Sequence, residues 1–419
     1  MRIGISLPFK DGDGRPLDAA GVAARAAMVE RAGLDGVWIQ DSLIPGVMRP
    51  EPLLWLTPAA AATTSIEIGT SIFIVPLRHP VDLAQRFLTL RALTNDRFTA
   101  GVGAGSSKPS HDSVGVDFHQ RFKLLYDEMD TIRRLCDGET VGAANLDPWP
   151  SVKGGPRFVI GAWHSEASLR RAVAEYDGWM CSAGRTNLET MSEAIKRYRA
   201  LGGQRAMVST CPVDLSAPTQ RMGDDDPFNL MCDPAEAGRR LERLAALGFD
   251  DVLLVKRDHT GRTKMFETDL DGDEIAQVRA LLPRDETRPW HADGAPRARP
   301  ASGPADGASP QARGRPAQGR PAQGARGGRA DAFDRLVTSA ARDGDGKVTA
   351  IGGDFGVRSR ASVIIDIQNG AHTYHLRAGG RRVDVLVTQQ DGRRQLSAPD
   401  GEDGADALAG LPATEGAAR

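Results

Sequence analysis

The 419-residue chain is poor in several things, and each shortage excludes a class of protein. Its four cysteines, Cys136, Cys181, Cys211 and Cys232, are scattered without a CxxC pair, so they build neither a disulfide framework nor a zinc site. They read as reduced thiols. No apolar run approaches the ~18 residues that a transmembrane helix needs. The opening stretch MRIGISLPF has one arginine and then an alternating strand pattern, without the apolar region or small-residue cleavage site of a secretory leader. The expectation is a cytoplasmic protein. Charge of one sign is also lacking: 53 basic and 55 acidic residues leave a net charge of -2, which gives no whole-chain field to grip nucleic acid or an anionic membrane. The motifs G-x-S-x-G, H-E-x-x-H and G-x-x-x-x-G-K-[ST] are missing, so serine-hydrolase, zinc-protease and P-loop chemistries have no foothold. Aromatics at 5% and a mean hydropathy of -0.34 are low for this length, so part of the chain adds little to a core.

That part is easy to find. Between His291 and Ala330 there is no Leu, Ile, Val, Met, Phe, Tyr, Trp or Cys, and Arg-Pro-Ala-Gln-Gly occurs twice, at Arg315–Gly319 and Arg320–Gly324. Such a segment has no apolar surface to offset the entropy of ordering it, so a disordered tether is expected. The division this implies is a domain over 1–284, a linker over 285–331, a small β-rich module over 332–413 and a short tail over 414–419.

Before the tether, strand patterns at Arg2–Leu7, Gly36–Gln40, Ile66–Val75, Arg97–Gly103, Arg157–Gly161, Gly178–Cys181, Ala206–Val213 and Asp251–Val255 alternate with helix patterns. Eight such repeats in about 285 residues predict a (β/α)8 TIM barrel, an α/β fold, with a doubly wound sheet as the runner-up. Beyond the tether, Lys347–Gly352, Ser362–Ile367, Thr373–Leu376 and Val383–Thr388 read as short strands.

A barrel presents functional groups at the C-terminal ends of its strands, so those positions are the first candidates. They are Gln40-Asp41-Ser42 after the second strand, Ser71–Leu77 with Arg78-His79-Pro80 at the third, Gly101–Ser106 after the fourth and Gly161–Glu166 after the fifth. Gly101, Gly103 and Gly105 give GxGxG, but a Rossmann turn must open directly into a helix, and SSKPSHDSVG contains a proline and no amphipathic helix. A glycine turn at a strand end and a turn that lets a flat ring approach the backbone both remain open. A helix starting near Ser165 offers its free N–H groups to an anion, or Ser165 is only its N-cap; Glu166 argues against an anion unless it turns to solvent. His111, Asp112, Asp117 and His119 lack tight ligand spacing and read as a solvated loop rather than a metal site.

The run IEIGTSIFIVPLRHPVDLAQRFLTLRALTNDRFTAGVGAG (Ile66–Gly105), with RAGLDGVW before it and HSEASLRRAVAEYDGW and LAALGFDDVLLV after it, resembles the bacterial luciferase-like family of flavin-dependent oxidoreductases over about residues 1–283. The resemblance implies a (β/α)8 barrel that binds FMN, or in some branches the deazaflavin coenzyme F-420, at the strands' C-terminal ends. It puts Asp41 and Ser42 beside the ring and the family's non-prolyl cis peptide at Ser71–Ile72 beneath it. Ala104, Gly105 and Ser106 would line the ring's edge, His164, Ser165 and Glu166 would meet the phosphate, and Gly103 and Trp163 would also bind the cofactor. Asp41, Ser42 and Ser106 are the candidate catalytic groups. Luciferases and several deazaflavin dehydrogenases have His where this chain has Asp41-Ser42, a pair that resembles the methylene-tetrahydromethanopterin reductase branch, and some dehydrogenases have an acidic group where this chain has Ser106. The C-terminal piece faintly resembles a small bacterial domain of unknown function.

The function expected is an oxidoreductase or monooxygenase acting on a small organic substrate, either reduced FMN with oxygen or hydride transfer with F-420. Implied partners are a flavin reductase, if FMN is used, and a second copy in a homodimer. The alternative is a flavin-binding sensor or scaffold whose C-terminal module recruits partners.

Overall fold

A computed structural model of the chain describes residues 1–162, 165–223, 226–260, 270–282, 334–344, 346–353, 356–360, 363–364, 367, 373–390, 393–400 and 405–413. The chain forms two compact units, Met1–Ser309 and Pro310–Arg419. The expected tether, His291–Ala330, and the tail lie outside the described residues.

In the first unit, the strands are β1 (Arg2–Ser6), β2 (Gly36–Ile39), β3 (Glu67–Ile74), β4 (Phe98–Gly103), β5 (Arg157–Gly161), β6 (Gly178–Ser182), β7 (Ala206–Asp214), β8 (Leu230–Met231) and β9 (Asp251–Lys256). β1 to β7 pair in sequence order, β7 pairs with β9, and β9 returns to β1, all in parallel. Eight strands therefore close a barrel, and the two-residue β8 extends beside β7. The expected barrel is the one observed. Its outer helices include α1 (Ala19–Arg31), α2 (Pro52–Ala62), α3 (Pro80–Leu93), α4 (Lys108–Asp112), α5 (Arg121–Cys136), α6 (Glu166–Glu175), α7 (Leu188–Ala200), α8 (Pro234–Leu247) and α9 (Gly272–Ala280).

Local chemistry sets these boundaries. The Asp18 carboxylate caps α1 by accepting from Gly21, Pro80 opens α3, and Asp271 and Glu274 form a reciprocal capping box on α9. Gly248 ends α8 at φ 101°, a left-handed position that a β-carbon would strain. α2 begins at Pro52, where the Glu51 side chain caps it by accepting from the Leu54 N–H. The short α4 after the GxGxG run was not expected; Ser107 caps it.

Side chains alternate across a strand, so every second residue points into the barrel, and the interior falls into three layers. At the N-terminal end lies a charged layer. Arg205 forks onto Glu67 with both bonds at 2.8 Å and reaches Asp251 at 3.0 Å, while Arg2 also holds Asp251 at 2.8 Å. Burial works against the Glu67 and Asp251 charges, but the guanidinium groups of Arg205 and Arg2 outweigh it and hold both carboxyls below their usual range. The middle layer is apolar: Trp38, Val159, Met180, Met207 and Leu253 pack together. Trp38 fits only because its neighbours lack a side chain, since a β-carbon on Gly69 would lie 2.2 Å from the indole and one on Gly4 2.6 Å. The third layer, at the C-terminal ends, is polar and forms the floor of the candidate site.

The second unit carries a five-stranded sheet in the order β12 (Gly356–Ser359), β11 (Val348–Gly353), β10 (Asp334–Arg342), β13 (Thr373–Ala378), β14 (Arg381–Asp384). Two short hairpin-like pairs follow, β15 (Leu386–Gln390) with β16 (Arg393–Ser397) and β17 (Pro399–Asp400) with β18 (Ala405–Asp406). The β-rich expectation stands, with two corrections. β10 was not foreseen in the sequence. The segment read as a strand at Ser362–Ile367 is instead helical at its described residues, where Val363 and Ile364, with Ile367 a turn later, face one apolar cluster.

Candidate active site

Ser6, Gln40 and Ser71 sit two residues beyond the middle-layer positions Gly4, Trp38 and Gly69, so they stand directly above that layer. The Gln40 amide donates to the Ser6 hydroxyl at 2.7 Å and to the Ser71 hydroxyl at 3.1 Å. Its carbonyl oxygen, Oε1, is buried and has no partner among the described residues. A buried acceptor of this kind costs free energy unless something supplies a donor.

Beside this floor, β3 departs from regular pairing between Thr70 and Phe73, and the Ser71–Ile72 peptide is cis, at the position that the resemblance implied. The Ile72 side chain lies over β4 and β5, where a β-carbon on Gly103 or Gly161 would come within 2.7 or 2.6 Å of it. On Gly101 it would come within 2.0 Å of the Thr70 carbonyl. The glycines at 101 and 103 thus make room for this bulge of β3. Gly105, at φ 73°, turns the chain away above a buried Ala104.

Asp41 is buried behind the bulge. Its N–H donates to the Ile72 carbonyl at 3.0 Å, its Oδ2 accepts from the Ile74 N–H at 2.9 Å, and Arg78 grips both carboxylate oxygens. Arg78 in turn lies 4.2 Å over the Phe73 ring. Asp41 therefore holds the shape of the bulge, and Ser42 is the half-buried group next to it at the rim. Ser106 accepts from Arg185 at 2.8 Å, which brings an arginine from the end of β6 to the end of β4. Ser165 caps α6, accepting from the Ser168 N–H at 3.3 Å, while Glu166 turns aside to pair with Arg170 at 3.0 Å. The N-terminus of α6 is exposed, with Glu166 in its first turn. Trp163 and His164 lie outside the described residues.

The loop after β4 is not uniformly solvated. His111 is fully buried, with Nδ1 2.8 Å from the Ser107 carbonyl and Nε2 3.0 Å from the Ala104 carbonyl, whereas Asp112, Asp117 and His119 are exposed. All four cysteines are free and buried, and burial pushes the Cys181 thiol up to about 12, so they are packing residues.

Sequence reasoning placed Arg78 only at the end of the third strand, without its partner, and missed Ser6, Arg185 and a pair at the ends of β7 and β9, Asp214 and His259. The His259 ring Nδ1 is 2.8 Å from Asp214 Oδ2, and the His259 N–H donates to the same oxygen at 3.0 Å. The Ser216 N–H and hydroxyl donate to Oδ1 at 3.0 and 2.7 Å. Burial works against the Asp214 charge, but these hydrogen bonds from Ser216 and His259 hold its carboxyl well below the usual range.

Comparison with known proteins places this geometry. A family model described as luciferase-like monooxygenase matches residues 1–219, just over half of the chain. The F420-dependent glucose-6-phosphate dehydrogenase of Beutenbergia cavernae is 31% identical over 209 residues, which cover 46% of this chain and 61% of that protein. The 4-hydroxyprotoasukamycin monooxygenase of Streptomyces nodosus subsp. asukaensis is 32% identical over 117 residues, 27% of this chain and 31% of that one. The match thus spans less than two thirds of these relatives. Among solved structures, monooxygenase RslO1 from Streptomyces bottropensis superposes with a TM-score of 0.54 at 16% identity, covering 67% of this chain and 97% of that one. The coenzyme F420-dependent tetrahydromethanopterin reductase of Methanopyrus kandleri does so with a TM-score of 0.51 at 17% identity, over 67% and 98%. These two likenesses establish the shared barrel. Among the described residues, no helix is long and apolar enough to cross a membrane. The chain belongs to the luciferase-like monooxygenase family.

Proposed function

We propose that the chain is a flavin-type oxidoreductase that acts on a small organic substrate at the C-terminal mouth of its barrel. The observation that carries this reading is the polar floor: an unpartnered, buried Gln40 Oε1 beside the Ser71–Ile72 bulge, in a barrel of a flavin-using family. A planar ring with N–H groups and carbonyls on its edge fits such a floor, since it is apolar on its face and can supply the missing donor. FMN and coenzyme F-420 both have that chemistry; the names of the curated dehydrogenases support F-420. When bound, the cofactor supplies the two-electron chemistry.

In this reading Ser71 and Ile72 support the ring, and Gly103, Ala104 and Gly105 lie along its edge. Asp41 is a positioning residue that fixes the bulge through Arg78, while Ser42 and Ser106 face the substrate, Ser106 held by Arg185. Trp163, His164, Ser165 and Glu166 form the phosphate end. A hydroxylated substrate follows from the dehydrogenases among the relatives, and an FMN-dependent reaction would need a separate flavin reductase. A homodimer and a cytoplasmic setting complete the proposal. The test is turnover by the full chain of hydroxylated substrates with oxidised F-420, and of reduced FMN with oxygen; bound cofactor without any turnover would favour a sensor.

The phosphate placement has its own test. If Ser165 contacts phosphate, Ser165→Ala should weaken FMN or F-420 binding by ~1.5–3 kcal/mol, the scale of a hydrogen bond to a charged group, about ten- to a hundredfold in Kd. Riboflavin, which has no phosphate, should bind the variant and the parent alike. A loss of helix capping alone would cost ~0.5–2 kcal/mol of stability and leave both affinities in place.

A further inference from the structure

We propose that His259, oriented by Asp214, is the residue that exchanges a proton with the substrate oxygen; this rests on the oxidoreductase reading above. Asp214 is the last residue of β7, His259 follows β9 by three residues, and Val213 pairs with Lys256, so the two strands bring both groups to the C-terminal mouth. β9 adjoins β1, where Ile5 pairs with Leu254, so His259, five residues on, lies beyond the level of the polar floor at the same end of the barrel.

The division of labour within the pair is set by their surroundings. Asp214 is buried, and four donors converge on it, so it stays a carboxylate and accepts a hydrogen bond from the His259 Nδ1–H. Whenever the ring is neutral, that bond puts its lone pair on Nε2, the arrangement in which an imidazole accepts a proton. Nε2 has no recorded partner among the described residues, and the His259 side chain is 34% exposed. Asp258 stands close enough for these three side chains to resemble a cation site, since their ligand atoms lie within 4.8 Å of one another. The donors already on Asp214 argue against a cation, because an Nδ1 that carries a proton offers no lone pair. The other charges facing the pair are Lys256, 3.8 Å from Asp214 and paired with Glu274 of α9.

The step balances as follows. The substrate O–H bond breaks, its proton moves to His259 Nε2, and the electron pair left on oxygen becomes the second bond of a carbonyl. The carbon gives up its hydrogen with two electrons to an oxidised flavin-type acceptor, and the imidazolium later releases its proton to water.

Two measurements on the full chain test this. Carbethoxylation of His259 by diethyl pyrocarbonate, followed by peptide mass spectrometry, should be slowed at least tenfold when F-420 or FMN is bound together with glucose 6-phosphate. In turnover of that substrate, His259→Ala should lose about 10²–10⁴-fold, the range of general acid–base catalysis, and lose the acidic limb of the pH profile. Added imidazole should restore part of the activity, which it would not do for a residue that merely ties down a loop. Cofactor affinity should stay within twofold. Unprotected His259 in cofactor-loaded protein, or a His259→Ala chain that turns over within threefold of the parent, would overturn the proposal and leave the oxidoreductase reading intact. Failure of the parent chain to bind either cofactor would overturn both.

Discussion

Replacing Arg205 with leucine should cost the barrel about 3–5 kcal/mol at pH 7, the usual penalty for removing one partner of a buried ion pair. Arg205 and Arg2 balance Glu67 and Asp251 inside the N-terminal end of the barrel, where the two carboxylates are 2% and 3% exposed. Arg205→Leu leaves two negative charges facing one positive charge, far from water. The sign of the pH effect follows from the depressed carboxyls. Their stabilisation is present above the carboxylate range of the unfolded chain, near pH 4, and is lost as the pH falls through their folded values. In the variant these groups protonate more readily, so its deficit against the parent should shrink as the pH is lowered. All six tryptophans lie before residue 309, so their fluorescence during urea unfolding reports on the first unit alone. A loss under 1 kcal/mol, or a deficit equal at pH 4 and pH 7, would contradict this role.

Arg78→Met should do comparable damage at the other end of the barrel, about 3 kcal/mol, with a consequence for binding. The Asp41 side chain is 2% exposed, and without the guanidinium its charge would keep only the Ile74 N–H. The bulge it fixes would then be free to rearrange, and cofactor affinity should fall at least tenfold. Asp41→Asn combined with Arg78→Met removes the stranded charge, so the double variant should be more stable than Arg78→Met alone. Additive losses in that double-mutant cycle would mean that the two residues act independently.

How much of this was readable beforehand depended on sequence distance. The barrel was legible because period-two apolar runs and helix patterns alternate locally, and both caps and glycine stops agree with them. The polar floor was also within reach: Ser6, Gln40 and Ser71 each follow a core position by two residues, and the alternation alone puts them on the inner face. The roles of Asp41 and His259 were not legible. Asp41 looks like a free carboxylate until Arg78, 37 residues on, is seen to grip it. Asp214 and His259 are 45 residues apart and meet only through the register of β7 and β9. Val363 and Ile364 misled in the opposite direction, because β-branched residues in a short run carry a strand preference that packing against one apolar cluster overrides.

The most direct measurement is a titration of the purified full chain with coenzyme F-420 and with FMN, each followed by absorbance and by quenching of the barrel tryptophans. The account predicts saturable binding of at least one of them at one molecule per chain, weakened at least tenfold by Arg78→Met. A folded chain that binds neither cofactor would contradict it.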